Sequence, residues 1–213
     1  MKLVPRGLDR VEVSNAARIA AFDFDGTLTR RDSLLPFLRM VAGARLLPAS
    51  LRALPQMAGY AIGVVPNWKA KEALLRGALE GLPAADLEAY GVAFARDVIP
   101  GLLRPGALDQ IRKHRAQGDV LALVSASLEV YLVPWARAHG FDVVAGTRLE
   151  TRDGILTGRL HGSNCWGPEK VARLRLAVGG LDGRSVVAYG DGRGDRELLD
   201  LAKTSGRTLS RTA

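Results

Sequence analysis

Asp23-Phe24-Asp25-Gly26-Thr27-Leu28-Thr29 follows directly on Arg18-Ile19-Ala20-Ala21-Phe22, so an apolar run stops abruptly at an acid. The same break recurs where Asp119-Val120-Leu121-Ala122-Leu123-Val124 gives way to Ser125-Ala126-Ser127. It recurs again where Ser185-Val186-Val187-Ala188-Tyr189 meets Gly190-Asp191-Gly192-Arg193-Gly194-Asp195. Continuous rather than alternating apolar strands are buried on both faces, the habit of a parallel sheet between helices. Helical patterns follow the breaks: Pro105 to Gln117 stopped by Gly118, Leu128 to His139 stopped by Gly140, Pro168 to Val178 stopped by Gly179-Gly180, and Asp195 to Lys203. Proline near a helix start and glycine just past its end is the expected asymmetry. Strand and helix in alternation predict an open α/β sheet with helices on both faces and right-handed crossovers.

Working outward, Phe141 to Ala145 reads as a further strand, and Arg148 to Leu160 as a β-hairpin turning at Asp153-Gly154. Residues 33–99 break the rhythm. They read as short helices punctuated at Pro48, Pro55, Pro66 and Pro83, a helical insertion after the first strand. Residues 1–17 carry no sustained period and read as a tail, which leaves 18–32 and 100–213 for the α/β core. The 213 residues suffice for such a core with one modest insertion and for no further modules.

In an open parallel sheet, ligands bind at the carboxyl ends of the strands, and here those ends carry the polar residues. Asp23 and Asp25 are two apart, so on extended backbone both side chains point the same way. Neighbouring carboxylates repel unless a cation or a proton lies between them. Asp191 and Asp195 converge from another strand end, which predicts an oxygen-only site for a hard divalent cation, Mg²⁺ by ligand type. Ser125 stands where it can serve as a helix N-cap as well as a ligand contact. His114, His139 and His161 have neither metal-like spacing nor a strand-end position. Cys165 and Trp166 precede Lys170 in a loop and read either as lining an entrance or as packing.

Four motifs in order resemble those of the haloacid dehalogenase-like superfamily of phosphatases, in the branch that includes phosphoserine phosphatase. They are Asp23 to Thr29, Ser125 in Val124-Ser125-Ala126-Ser127, Lys170 in Gly167-Pro168-Glu169-Lys170-Val171, and Gly190 to Asp195. The hairpin ahead of the lysine is similar to one in the same branch, and residues 33–99 match the family's inserted helical cap. The resemblance implies that Asp23 is the nucleophile, forming an aspartyl-phosphate, and that Asp25 is the general acid and then the base. It implies a Mg²⁺ site of Asp23, Asp191 and the backbone carbonyl of Asp25, with Lys170 adding positive charge. Thr27, the Ser125 hydroxyl and the Ala126 amide are implied to contact the phosphoryl group, and Asp195 to orient Lys170. A phosphate dianion about 4 Å from a carboxylate is repelled by roughly 8 kcal/mol at an effective dielectric near 20, so cations there are a physical need. After the fourth-motif helix the resemblance implies another strand and helix, where only Thr204 to Ala213 remain.

The same resemblance places a substrate-ammonium contact at Asp32, where the branch has a longer glutamate, and a cap cation for a substrate carboxylate, with Lys69, Lys71 and Arg76 as candidates. The chain carries 30 Lys plus Arg against 22 Asp plus Glu, a net charge of +8, which favours an anionic partner. From Ser33 to Lys71 there is no acid at all. The expected function is therefore a phosphomonoesterase on a small phosphorylated metabolite. A lipid-phosphate phosphatase resting peripherally on an anionic membrane is the alternative, and a non-catalytic nucleic-acid-binding protein is a remote one, since the arginines are scattered and no recognition motif accompanies them. A receiver-type signalling domain is disfavoured because its acceptor aspartate follows a middle strand. No stretch has about 18 uninterrupted apolar residues, the best candidate being the shorter Ala53 to Trp68. With one cysteine and no apolar run behind Lys2 and Arg6, the expected location is the cytoplasm.

Overall fold

The structure is a computed structural model that describes residues 18–204. The expected tail 1–17 and the stretch after Thr204 lie outside the described residues. The elements run in the order β1 (Ile19–Phe22), α1 (Leu34–Ala42), α2 (Leu46–Ala61), α3 (Asn67–Leu79), α4 (Ala84–Asp97), α5 (Ile99–Leu102) and α6 (Ala107–Ala116). Next come β2 (Val120–Leu128), α7 (Glu129–Ala138), β3 (Val143–Thr147), the hairpin β4 (Leu149–Arg152) and β5 (Ile155–Leu160), α8 (Pro168–Ala177), β6 (Val186–Tyr189) and α9 (Arg196–Thr204). Two short 3₁₀ turns, Gly43–Arg45 and Arg193–Asp195, lead into α2 and α9.

The main sheet has the order β3-β2-β1-β6, with β1 paired in parallel to β2 and β6. This is the expected α/β architecture with a parallel sheet. Alternate residues of each strand feed opposite layers, as the period of two requires. Ile19, Ala21, Ala122, Val124, Val143, Ala145, Val186 and Ala188 share an apolar cluster with Leu174 and Ala177 of α8 and Leu198 and Ala202 of α9. Ala20, Phe22, Leu121, Leu123 and Val144 pack instead with Ile111 of α6 and with Tyr131, Leu132 and Trp135 of α7.

That second cluster continues without a break into the helices that precede α6. The Phe37 ring of α1 meets Phe94 of α4 at a centroid distance of 5.2 Å and Tyr131 of α7 at 4.8 Å. Pro66 and Pro83 stand at the N-caps of α3 and α4, as expected of punctuation. Pro48 and Pro55 do not punctuate: α2 runs through both. Pro48 falls in the first turn, where its missing N–H costs nothing, and Pro55 lies on the exposed side of the helix, where a lost backbone bond is cheapest.

One strand boundary differs from the sequence reading. Strand β2 does not end before Ser125 but continues to Leu128, its pairing with β3 shifting between Val124 and Leu128. Ala53 to Trp68 is broken up, as its glycines and Pro66 imply: α2 ends at Ala61 and a turn intervenes before α3. The stretch long and apolar enough to cross a membrane lies upstream, over Leu34–Ala61, with a mean hydropathy of 1.3.

Candidate active site

Sheet register brings the motifs together. Phe22 pairs with Leu123 on one side and Tyr189 on the other, so Asp23, Val124 and Gly190, the next residues along, come to the same end of the sheet. The Asp23 amide donates to the Tyr189 carbonyl (2.9 Å), fixing the first acid beside the Gly190–Asp195 loop. Gly167, the N-cap of α8, donates its amide to the Gly194 carbonyl (3.0 Å) and so ties that loop to the helix bearing Lys170.

Lys170 is buried, and its Nζ donates to Asp23 Oδ1 and to Asp195 Oδ1, each at 2.5 Å. Burial alone would lower the lysine's pKa, but Asp23 and Asp195 outweigh it and raise it, keeping the ammonium charged. Burial, with Asp195 alongside, pushes the Asp23 carboxyl above its usual range against the opposing pull of Lys170. Asp195 uses its other oxygen, Oδ2, to accept the amides of Asp191 (3.2 Å) and Gly192 (3.0 Å). It therefore shapes the loop and holds the lysine.

Carboxylate oxygens of Asp23, Asp191 and Asp195 lie within 4.8 Å of one another. Gly26, at a φ of 79°, makes room for this: a Cβ there would collide with the Asp191 carboxylate. Such a cluster of hard oxygens is what a divalent cation such as Mg²⁺ takes, and with both Asp195 oxygens and Asp23 Oδ1 engaged, Asp23 Oδ2 and Asp191 are the oxygens left to face it. Thr27 Oγ1 stands beside both, 3.4 Å from Asp23 Oδ2 and 3.5 Å from Asp191 Oδ1.

The Asp25 carboxylate does not join this cluster, contrary to the reading that it points the same way as Asp23. The chain enters a turn at Asp25, which swings the side chain toward the helical segment. There it accepts the Ser33 amide (2.9 Å) and the Ser127 hydroxyl. Burial first, and then Asp32, push the Asp25 carboxyl up to about 7, while Ser127 and Ser33 pull the other way. An acid so placed exchanges a proton near neutrality.

Ser125 is buried, within hydrogen-bonding distance of Ser127 through its hydroxyl, and it does not cap α7, whose N-cap is Leu128. The Ala126 carbonyl takes the ammonium of Lys71 and the Thr147 hydroxyl (2.7 Å). Asp32 is exposed, and its Oδ1 accepts the amide of Leu34 (2.8 Å), so its carboxylate caps α1. Of the three cap cations offered by the sequence, Lys71 is the one aimed inward. Its Nζ also reaches Asn164 Oδ1 (3.2 Å), and Asn164 donates to Asn67 (2.6 Å). Burial lowers the Lys71 pKa to about 8, although Asp25 and Asp32 both work to raise it.

Ser127, Thr147 and Asn164 were not legible as site residues: each acts on a partner far along the chain. Cys165 is fully buried, its Sγ 3.5 Å from the Ala145 carbonyl, and burial pushes its thiol up to about 12, so it packs. Trp166 instead lines a cavity of about 710 Å³ between the Tyr60–Trp68 segment and the loops preceding Lys170 and following Asp191. His114 is buried and satisfied by Asp119 and the Tyr189 hydroxyl.

Residues 20–200 match the family of haloacid dehalogenase-like hydrolases. The chain is similar to Protein CicA of Caulobacter vibrioides, 41% identical over 201 residues that span 94% of this chain and 90% of that one. Phosphoserine phosphatase SerB1 of Mycobacterium tuberculosis is 30% identical over 206 residues, 93% of this chain and 67% of that protein. Among solved structures, a protein with unknown function from Bordetella pertussis Tohama I aligns with a TM-score of 0.73 at 32% identity, covering 87% of this chain and 86% of its own. Motif order, sheet register and these likenesses agree: the chain belongs to the haloacid dehalogenase-like hydrolase family, in its phosphoserine phosphatase-like branch.

Proposed function

We propose that this chain is a Mg²⁺-dependent phosphomonoesterase that acts through an aspartyl-phosphate on a small phosphorylated metabolite, with residues 33–99 as the cap over its site. The observation that carries the reading is the separation of the two paired acids. Asp23 lies in the cation cluster with Asp191 and Lys170, while Asp25 stands apart on Ser127 and Ser33 and is poised to hold a proton.

Asp23 supplies the oxygen that attacks phosphorus, and the bond from phosphorus to the ester oxygen breaks. Asp25 gives its proton to the departing alkoxide, so the first product leaves as a neutral alcohol. Asp25, now a carboxylate, takes a proton from the water that attacks the aspartyl-phosphate. The bond between phosphorus and Asp23 breaks, releasing phosphate and restoring the acid. Lys170 holds Asp23 in place and offsets charge on the phosphoryl oxygens. Asp23, Asp191 and the Asp25 carbonyl would hold a Mg²⁺, which when bound would supply the remaining positive charge that a phosphate dianion requires.

Asp23→Asn abolishes turnover of a chromogenic phosphate ester assayed with Mg²⁺, and abolishes inhibition by beryllium fluoride, which mimics phosphoryl on a carboxylate. Chelation of Mg²⁺ silences the unaltered enzyme, and adding the ion back restores it. A fully active Asp23→Asn protein overturns the nucleophile assignment. A panel of phosphorylated metabolites then ranks the substrates by kcat/KM.

A further inference from the structure

Helix α2 reaches the interior through two alanines, Ala49 and Ala53, with Ala49 set against Gly77 of α3. Leu47, Leu51, Leu54 and Ala58 recur at steps of four, three and four, which places them on one face turned away from those alanines. The three leucines are 69%, 58% and 54% exposed. Where α2 ends, Ile62 and Val64 project further, at 77% and 75%, and Trp68 is half exposed. A helix on a water-facing surface normally turns polar residues outward, and an apolar band of this extent marks an interaction face.

Charge decides what covers it. Arg39, Arg45, Arg52 and Lys69, all exposed, belong to the same run of helices, Arg52 on a flank of α2, and no acid occurs from Ser33 to Lys71. A second copy of the chain would bring two like-charged segments together, whereas an anionic bilayer offers opposite charge around an apolar interior. Length and anchoring decide the posture. The apolar stretch Leu34–Ala61 is interrupted at Gly43, which has a φ of 53°. Its first part, α1, is committed to the protein interior through buried Phe37 and Leu38. What remains, α2, has 16 residues, about 24 Å at 1.5 Å per residue, short of the roughly 30 Å hydrocarbon core.

We propose that α2 and the turn following it dock flat on an anionic phospholipid surface, apolar band inward and arginines against the headgroups. Docked so, the cavity between Tyr60–Trp68 and the loops preceding Lys170 opens beside the lipid surface. The proposal stands on the cap's outer face alone and is independent of which phosphate ester the site cleaves.

The test is co-sedimentation of the whole protein with phosphatidylglycerol-containing vesicles and with pure phosphatidylcholine vesicles, at low and high salt. Binding to the anionic vesicles is expected, weakened by salt. The Leu51→Glu, Leu54→Glu double variant loses that binding, and Arg45→Glu with Arg52→Glu lowers the partition coefficient roughly tenfold or more. Unchanged turnover of a soluble phosphate ester verifies that the variants are folded. Absence of binding at low salt, or equal binding by the leucine variant, overturns the proposal. So does a concentration-dependent dimer that Leu51→Glu disperses without any vesicle binding, because the face would then belong to a second copy.

Discussion

Lys71 is the residue whose importance only the fold reveals. In sequence it is one of three basic candidates in the cap, and nothing in the spacing of Lys69, Lys71 and Arg76 separates them. Folding turns it inward, half-buried, onto the Ala126 carbonyl, 55 residues away, near enough to Asp25 and Asp32 for both to affect its charge. Ser127 was likewise invisible, since its partner Asp25 is 102 residues distant. Asp23, Asp191 and Lys170 were legible because their motifs fall at strand ends or a helix start, where local pattern suffices. If Lys71 faces the charged group of the substrate that is not transferred, Lys71→Met raises KM for a carboxylate-bearing phosphate ester about tenfold relative to p-nitrophenyl phosphate. The charge leaves Lys71 as pH rises through about 8, so KM for the carboxylate substrate climbs above that pH in the unaltered enzyme and stays flat in the variant. Equal KM changes for both substrates would show that Lys71 only supports the cap.

The elements of the sheet were read closely from sequence because a strand buried on both faces is a run of apolar residues with no competing interpretation. The inserted helices are harder: proline predicts a stop, yet an exposed helix such as α2 tolerates it. The starts of β1 and β2 are joined by a contact no pattern announces. Arg18 donates to both Asp119 oxygens (2.8 and 2.6 Å), and His114 Nδ1 lies 2.5 Å from Asp119 Oδ2. Burial would raise the Asp119 pKa, but the bonds from Arg18 and His114 prevail and hold it below the usual carboxylate range. A depressed carboxyl stabilises the fold above its unfolded-state pKa, near about 4, and that stabilisation fades as pH falls through the folded value. Asp119→Asn therefore costs about 1–3 kcal/mol at neutral pH by urea titration, and the gap between the two proteins closes in acid. A gap independent of pH would assign the loss to shape and not to charge.

At the scale of the molecule, the helical segment and the α/β layers were separable in sequence by rhythm, but their interiors are continuous. Phe37, Leu75 and Phe94 belong to the same cluster as Phe22, Leu121 and Trp135. The α/β layers keep a second cluster against α8 and α9, but the helical segment packs only into the shared one, so it has no core to retain alone and unfolding is expected as one transition, with coincident curves from far-ultraviolet circular dichroism and tryptophan fluorescence. An early transition confined to the helices from Leu34 to Leu102 would show the parts to be independent. The net charge of +8, evenly ambiguous in composition, also acquires an address: its acid-free portion, Ser33 to Lys71, lies in the inserted helical segment.

Cys165 gives the molecule a native stopwatch. It is the sole thiol, fully buried five residues before Lys170, with its ionisation pushed up to about 12. A thiol reagent can reach it only when the segment leading to Lys170 opens, so alkylation slows in proportion to how seldom that happens. The labelling rate then measures, without an introduced probe, how firmly the floor of the site is held.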